Sequence, residues 1–83
     1  MMIAETLETI RWEADGTGYE RAFVQLRDGL LRLTVTKPDE FGLFGWIVSV
    51  PRWREVDWGK STMPQVCREN ALQAAKKWLE QNK

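Results

Sequence analysis

The sequence predicts an α+β fold, a two-layer domain in which a four- or five-stranded antiparallel β-meander carries one C-terminal α-helix packed on one face. Three observations support this prediction. Alternating apolar residues recur from about position 6 to 57, an Asp-Gly pair joins two of these stretches, and the last 20 residues repeat apolar side chains at helical spacing. Strand and helix patterns are segregated along the chain, as in α+β domains. At 83 residues, the chain is expected to form a single domain, 1–83.

The first strand is predicted at residues 6–13, where polar and apolar residues alternate loosely. Ile10 and Trp12 share one face of this strand. Residues 14–18 then predict a turn, because two of the five are glycines, which accept positive φ.

The next two strands form the hairpin that the sequence determines best. Residues 19–27 and 30–37 are separated by Asp28-Gly29, a pair typical of two-residue hairpin loops. Such a loop sets Leu26 opposite Leu31, Val24 opposite Leu33 and Ala22 opposite Val35. These six apolar side chains share one face, so turn chemistry and hydrophobic pattern agree.

A further strand is predicted at residues 41–50, after a turn at Pro38. Its two faces comprise Phe44, Trp46, Val48 and Val50 on one side, and Gly45, Ile47 and Ser49 on the other. Pro51 ends this strand or marks a sheet edge. Residues 52–63 then connect to the helix, and part of this connection is expected to form a short fifth strand.

The C-terminal helix is predicted at about 64–81. Ser61 and Thr62 are candidate N-caps, and Pro64 suits the first helical position. The apolar stripe contains Cys67, Ala71, Ala74, Ala75 and Trp78, flanked by Leu72 and Leu79. Because the centre of the stripe is alanine, the sheet is expected to approach closely there, with Trp78 filling the wide end of the gap.

Charge and composition restrict the class of function. The net charge is zero, distributed as −4 over residues 1–20 and +2 over each of 21–60 and 61–83. A protein that binds duplex DNA strongly is usually more basic, and a DNA mimic more acidic. No run of 18 apolar residues and no signal peptide is visible, so we expect a cytoplasmic protein that does not enter a membrane.

The sequence lacks the residues that most catalytic sites need. It has no histidine, and its one cysteine, Cys67, falls on the apolar side of the helix, where it is expected to be a small buried hydrophobe. Carboxylate pairs occur at positions 13/15, 39/40 and 55/57, near turns and strand ends where acids are normally solvated. Residues 59–62, Gly-Lys-Ser-Thr, resemble the end of a phosphate-binding loop, but Arg54 occupies the position of its first glycine. We therefore predict a non-enzymatic protein with no catalytic, cofactor-binding or metal-binding residues.

Two surfaces are candidates for partner binding. The first is the sheet face away from the helix, with candidate residues Arg11, Tyr19, Arg21, Phe23 and Arg32. The second is the connection before the helix, with candidate residues Arg52, Trp53, Arg54, Trp58 and Lys60. Trp and Arg are the residues most enriched in binding hot spots, and aromatics flanked by Arg also stack unpaired bases. The alternatives are an ordinary solvated sheet face, and tryptophans that fold back to close the core.

The strand at residues 45–48, Gly-Trp-Ile-Val, followed by the Ser61-Thr62 pair and the alanine-rich helix at 71–79, resembles small phage and mobile-element proteins of unknown function. The resemblance spans about residues 19–80. It implies a protein that binds and blocks a host complex, as anti-CRISPR inhibitors do.

Together these patterns predict a protein-binding module, an inhibitor of a host complex such as a CRISPR effector being one form of it. The alternative is a single-stranded nucleic-acid-binding protein that uses the Arg and aromatic side chains of the sheet face. A homodimer formed through an edge strand or the sheet face is compatible with either function.

Overall fold

The computed structural model describes residues 10–27 and 29–82. Its elements are β1 (Glu13–Ala14), β2 (Glu20–Leu26), β3 (Gly29–Val35), β4 (Phe44–Val50), β5 (Arg54–Ser61) and α1 (Pro64–Gln81). Each strand pairs antiparallel with the next, in the order β1-β2-β3-β4-β5, and α1 packs on one face. The predicted α+β meander with one helix is confirmed, and within the described residues the sheet has five strands.

The register of the β2–β3 hairpin differs from the prediction by two residues. Val24 pairs with Leu31 and Leu26 with Gly29, so Gly29 lies in β3 and not in the connecting loop. Gly29 instead opens β3 with a φ of 138°, a conformation that residues with side chains rarely adopt. A shift of two residues leaves every side chain on its predicted face, so the hydrophobic pattern cannot detect it.

The first strand is shorter than predicted. Residues 6–9 lie outside the described residues, 10–12 are not in a strand, and β1 holds only two residues. Ile10 and Trp12 still share a side, because both pack partly buried against the core. The predicted turn at 14–18 is confirmed: Asp15 N–H donates to the Tyr19 carbonyl at 3.1 Å, and both turn glycines have positive φ.

Strands β4 and β5 also differ from the predicted bounds. β4 begins at residue 44, because the chain between Asp39 and Leu43 is held in a turn by the Asp39 carboxylate. β5 is a full eight-residue strand that runs to residue 61. Gly59 therefore lies in a strand, with the Trp46 ring packed over it. It is not part of a turn in the connection that leads to the helix.

The helix starts and faces the sheet differently from the prediction. Met63 is the N-cap and makes no side-chain cap bond, so Ser61 and Thr62 are not caps. Ser61 belongs to β5, and its hydroxyl accepts a hydrogen bond from Met63 N–H at 3.3 Å. The buried stripe comprises Cys67, Ala71, Ala75 and Leu79. Ala74 and Trp78 are only partly buried. The small side chains of the buried stripe bring the sheet so close to the helix that an indole does not fit at the centre.

The core lies between α1 and the helix-facing side of β2, β3 and β4. Its sheet residues are Ala22, Val24, Leu31, Leu33, Val48 and Val50. Cys67 is fully buried, donates its thiol to the Phe44 carbonyl at 3.3 Å, and has a raised pKa because burial disfavours the thiolate. It is the buried hydrophobe that the sequence predicts. Within residues 10–27 and 29–82, no helix is both long enough and apolar enough to cross a membrane.

Candidate functional site

The side of the sheet turned away from α1, here called the outer face, collects residues from four strands. Paired residues of antiparallel strands project on the same side. One row across the outer face is therefore Arg21, Thr34, Ile47 and Trp58. The next row is Phe23, Arg32, Ser49 and Glu55, and Gln25 with Leu30 makes a third.

Trp53 joins this face from the β4–β5 connection. Arg52 and Trp53 have φ values of 75° and 58°, in the left-handed region that costs residues with a Cβ about 1 kcal/mol each. These turns fold the indole back over the sheet. The Arg32 guanidinium lies 4.3 Å from the centre of the Trp53 ring, and the Phe23 ring meets it edge-on at 6.4 Å. The predicted sheet surface and the predicted loop surface are therefore one surface at this point.

Large exposed apolar side chains are concentrated on the outer face. Among the described residues, six such side chains are exposed, and four of them are on this face. The four are Phe23, Leu30, Trp53 and Trp58, exposed by 47%, 39%, 48% and 66%. Single exposed hydrophobes are normal, but a cluster on one face of a small domain is typical of an interaction site.

The side chains of Phe23, Arg32 and Trp53, here called the aromatic cluster, cover buried polar residues of the sheet. Ser49 is fully buried although α1 lies on the other side of the sheet, and Thr34 is 5% exposed. Ser49 is paired directly with Arg32, whose side chain stacks on Trp53. Neither Ser49 Oγ nor Arg32 Nε has a hydrogen-bond partner among the described residues. Phe23, Arg32 and Trp53 thus form a packed layer on the sheet, the cluster that carries the site.

Most positive charges on this face are neutralised. Arg21 forms an ion pair with Asp15, and Lys60 Nζ lies 3.0 Å from Asp39 Oδ2. Within residues 10–27 and 29–82, Arg32 has no carboxylate within ion-pairing distance, and Glu55 has no cation. The face is therefore aromatic with one uncompensated charge of each sign, and is not a basic surface.

The Asp15 side chain holds the turn that leads into β2. Its pKa is lowered to about 2, mainly because the Thr17 hydroxyl donates to it, then by Thr17 N–H and Arg21. A lowered folded-state pKa means that this carboxylate stabilises the fold above about pH 4, and that the contribution is lost as the pH falls toward 2. We expect an NMR titration of the Asp15 carboxyl to give a midpoint near 2. Thr17→Ala is expected to raise that midpoint, and a wild-type midpoint near 4 would contradict the bonding described.

The structure brings together only part of the predicted site. Phe23, Arg32, Trp53 and Trp58 lie on the outer face, as do Arg21 and Lys60, whose charges are paired. Tyr19 is at the margin, with the Arg21 guanidinium 5.6 Å from its ring centre. The remaining three are exposed and outside the cluster: Arg11 before β1, Arg52 in the turn, and Arg54 opposite the helix-facing Val50. Trp53 and Trp58 are 48% and 66% exposed, so neither is buried in the core, as the alternative in which they fold back to close it would require.

Two features of the site were not predicted. The first is Leu30, which belongs to the outer face. The alternation that buries Leu31 was a sequence signal for this position. A hollow of about 220 Å³ also lies beside Trp58, where Gly45 contributes no side chain. Its other contributors include Thr36, Ile47 and Lys60, and its wall is mainly apolar. The sequence shows that Gly45 has no side chain, but it does not show the strand pairing that places this gap beside Trp58 and so forms the hollow.

Within residues 10–27 and 29–82, no three Cys, Asp or Glu side chains lie close enough together to hold a metal ion. Comparison with protein-family models, curated proteins and solved structures finds no match to the chain.

Proposed function

We propose that this protein is a non-enzymatic binding module whose outer sheet face binds another protein. One observation carries the proposal: of the six large apolar side chains that are exposed among the described residues, four lie on that face, with an arginine stacked on one of them. Exposed Trp and Phe beside Arg form the usual centre of a protein interface, where a few large side chains supply most of the binding free energy.

The aromatic cluster is pre-organised for binding. Arg32 is held by the Trp53 ring, and Trp53 by Phe23 and by the two left-handed residues of the turn. When a partner docks on this layer, the side chains of this protein therefore lose little conformational entropy. Left-handed residues without glycine persist where the surroundings enforce them, and they cluster at functional sites.

Size and charge define the kind of partner. Seven-residue strands about 23 Å long, spread over four strands about 5 Å apart, give a face of roughly 400 Å². The partner is therefore expected to place a compact apolar centre over Phe23 and Trp53, with a carboxylate near Arg32 and a cation near Glu55.

Single-stranded nucleic acid is the second candidate ligand, because Phe23, Trp53 and Trp58 offer ring faces on one surface. The charges favour protein over nucleic acid. Arg21 and Lys60 are already paired with carboxylates, and Glu55 would repel phosphates. Inhibition of a host complex is one form that protein binding would take here, and a cytoplasmic location remains part of the proposal.

Site-directed photocrosslinking in a native lysate tests the proposal. A photoreactive phenylalanine replaces Phe23 or Leu30 on the outer face, and replaces Gln73 on the exposed side of α1 as the matched control. We expect the outer-face probes to capture one protein that the Gln73 probe does not. Excess unlabelled protein should prevent the capture, and an Arg32→Ala competitor should prevent it less effectively.

The control titration uses labelled, mixed-sequence single-stranded RNA and DNA at low and physiological salt. Saturable binding that weakens steeply with salt, together with no specific crosslinked protein, would replace the protein ligand by nucleic acid. Equal crosslinking from Gln73 and from the outer face would refute the assignment of this face.

A further inference from the structure

We infer that the open edge of β5 binds an extended peptide of a partner protein, which adds to the sheet as a sixth strand. The inference goes beyond the outer-face proposal, since it rests on the backbone groups of β5 and shares with that face only the hollow beside Trp58. Within the described residues, β5 is an eight-residue strand that pairs on one side only, with β4. The opposite edge of the sheet is the two-residue β1.

The hydrogen-bond pattern shows which β5 groups face outward. Thr36 N–H donates to the Gly45 carbonyl at 2.9 Å, so the Gly45 backbone points toward β3. Residues of an antiparallel strand alternate between their two neighbours. Gly45 pairs with Lys60, and Ile47 with Trp58, so Lys60 and Trp58 direct their backbone groups away from β4.

The Asp57 side chain supports this assignment. Its Oδ1 accepts a hydrogen bond from Trp58 N–H at 2.9 Å, which the amide could not give if it pointed at β4. The outward edge therefore presents the Trp58 carbonyl and both backbone groups of Lys60, with the Trp58 amide covered by a replaceable carboxylate. An incoming strand would pair with residues 58 and 60.

Both sides of this edge have space for the side chains of an added strand. On the outer side is the mainly apolar hollow of about 220 Å³, to which Trp58 and Lys60 contribute. On the helix side, a groove of about 250 Å³ lies between β5 and α1, lined by Val56, Asp57, Ala74, Lys77, Trp78 and Gln81. Successive side chains of a strand point to opposite faces, so one added peptide reaches both spaces.

These spaces define the peptide. We expect a large apolar side chain toward the outer hollow, and polar side chains toward the groove with Asp57 and Lys77. A second copy of β5 fits less well. Its helix-side residues in the regularly paired part are Asp57, Gly59 and Ser61, too small to fill the groove. Charges at positions 54, 55, 57 and 60, with the irregularity at Val48/Ser49, are devices that keep edges from pairing indiscriminately.

The test compares two substitutions at one position. Lys60→Pro removes the outward amide, and Lys60→Ala keeps it, while both lose the ion pair with Asp39. Proline is tolerated at such edge positions, and the preceding Gly59 has no Cβ to clash with the proline ring. Random heptapeptides displayed on phage are panned against the wild type and both variants. A selected peptide is then synthesised and titrated against each.

We expect peptides to be enriched on the wild type and on Lys60→Ala, with at least tenfold weaker binding to Lys60→Pro. In ¹⁵N spectra of the wild type, the peptide should shift the amides of residues 58 and 60, a readout that holds even if Lys60→Pro folds poorly. No enrichment, or equal binding to Lys60→Pro, would overturn the inference. So would a dimer in sedimentation that Lys60→Pro dissociates without any peptide binding. Phe23→Ala should leave peptide affinity unchanged, which separates this test from that of the outer face.

Discussion

Replacing Leu31 by alanine is expected to lower the free energy of unfolding by about 3 kcal/mol, within the range of 2–5 kcal/mol for buried leucines. Leu31 is fully buried in the cluster that β2, β3, β4 and α1 share. Residue 31 pairs with Val24 in the middle of the sheet. The backbone hydrogen bonds there restrict how far the surrounding structure can move in to fill the cavity. Natural domains are stable by only about 5–15 kcal/mol, so the loss is a large part of the total.

The adjacent leucine provides a matched control. Leu30 is one residue away in β3 but lies on the outer face and is 39% exposed, so Leu30→Ala is expected to cost less than about 1 kcal/mol. Urea unfolding of both variants, followed by circular dichroism, measures the difference. A larger loss from Leu30→Ala than from Leu31→Ala would mean that the two faces of β3 are assigned wrongly, as a one-residue slip of the register would require.

The faces of the strands were predictable because two independent sequence signals agreed on them. Alternation at residues 22–26 and 31–35 fixed which side chains are buried, and the Asp-Gly pair fixed the existence of the hairpin. The register was not predictable to better than two residues, since the strand period is two. In the structure Gly29 opens β3 opposite Leu26 with a φ of 138°, a conformation that suits glycine at a strand start as well as in a loop. The Asp-Gly pair alone therefore could not decide between the two registers.

The position of Trp53 could not be read from the sequence for a different reason. Arg52 and Trp53 adopt left-handed backbone conformations without glycine or asparagine, the residues that signal such a turn. Alternation alone predicts which side Phe23 and Arg32 occupy, but not that an indole from another strand connection stacks on them. The side of the sheet that Phe23 and Arg32 occupy was therefore predictable from alternation, and their contact with Trp53 was not.

Removing both exposed tryptophans, Trp53→Ala with Trp58→Ala, is expected to leave the fold intact and weaken partner binding by at least about 30-fold. Half or more of Trp58 and nearly half of Trp53 is exposed, so truncation costs the core little. We expect the free energy of unfolding to fall by about 1 kcal/mol, mainly from the contacts of Trp53 with Phe23 and Arg32. The loss of affinity follows from hot-spot energies of about 2 kcal/mol or more for central tryptophans.

Trp46→Ala provides the contrast for that double variant. Trp46 packs against the core on the helix side and covers Gly59, so its truncation is expected to destabilise the domain by about 3 kcal/mol. Thermal unfolding, acrylamide quenching and titration against the crosslinked partner separate the two roles. The double variant should lose the readily quenched fluorescence and the binding, and Trp46→Ala should lose stability. If the double variant unfolds instead, both indoles support the core, and a surface used for binding must be sought elsewhere on the domain.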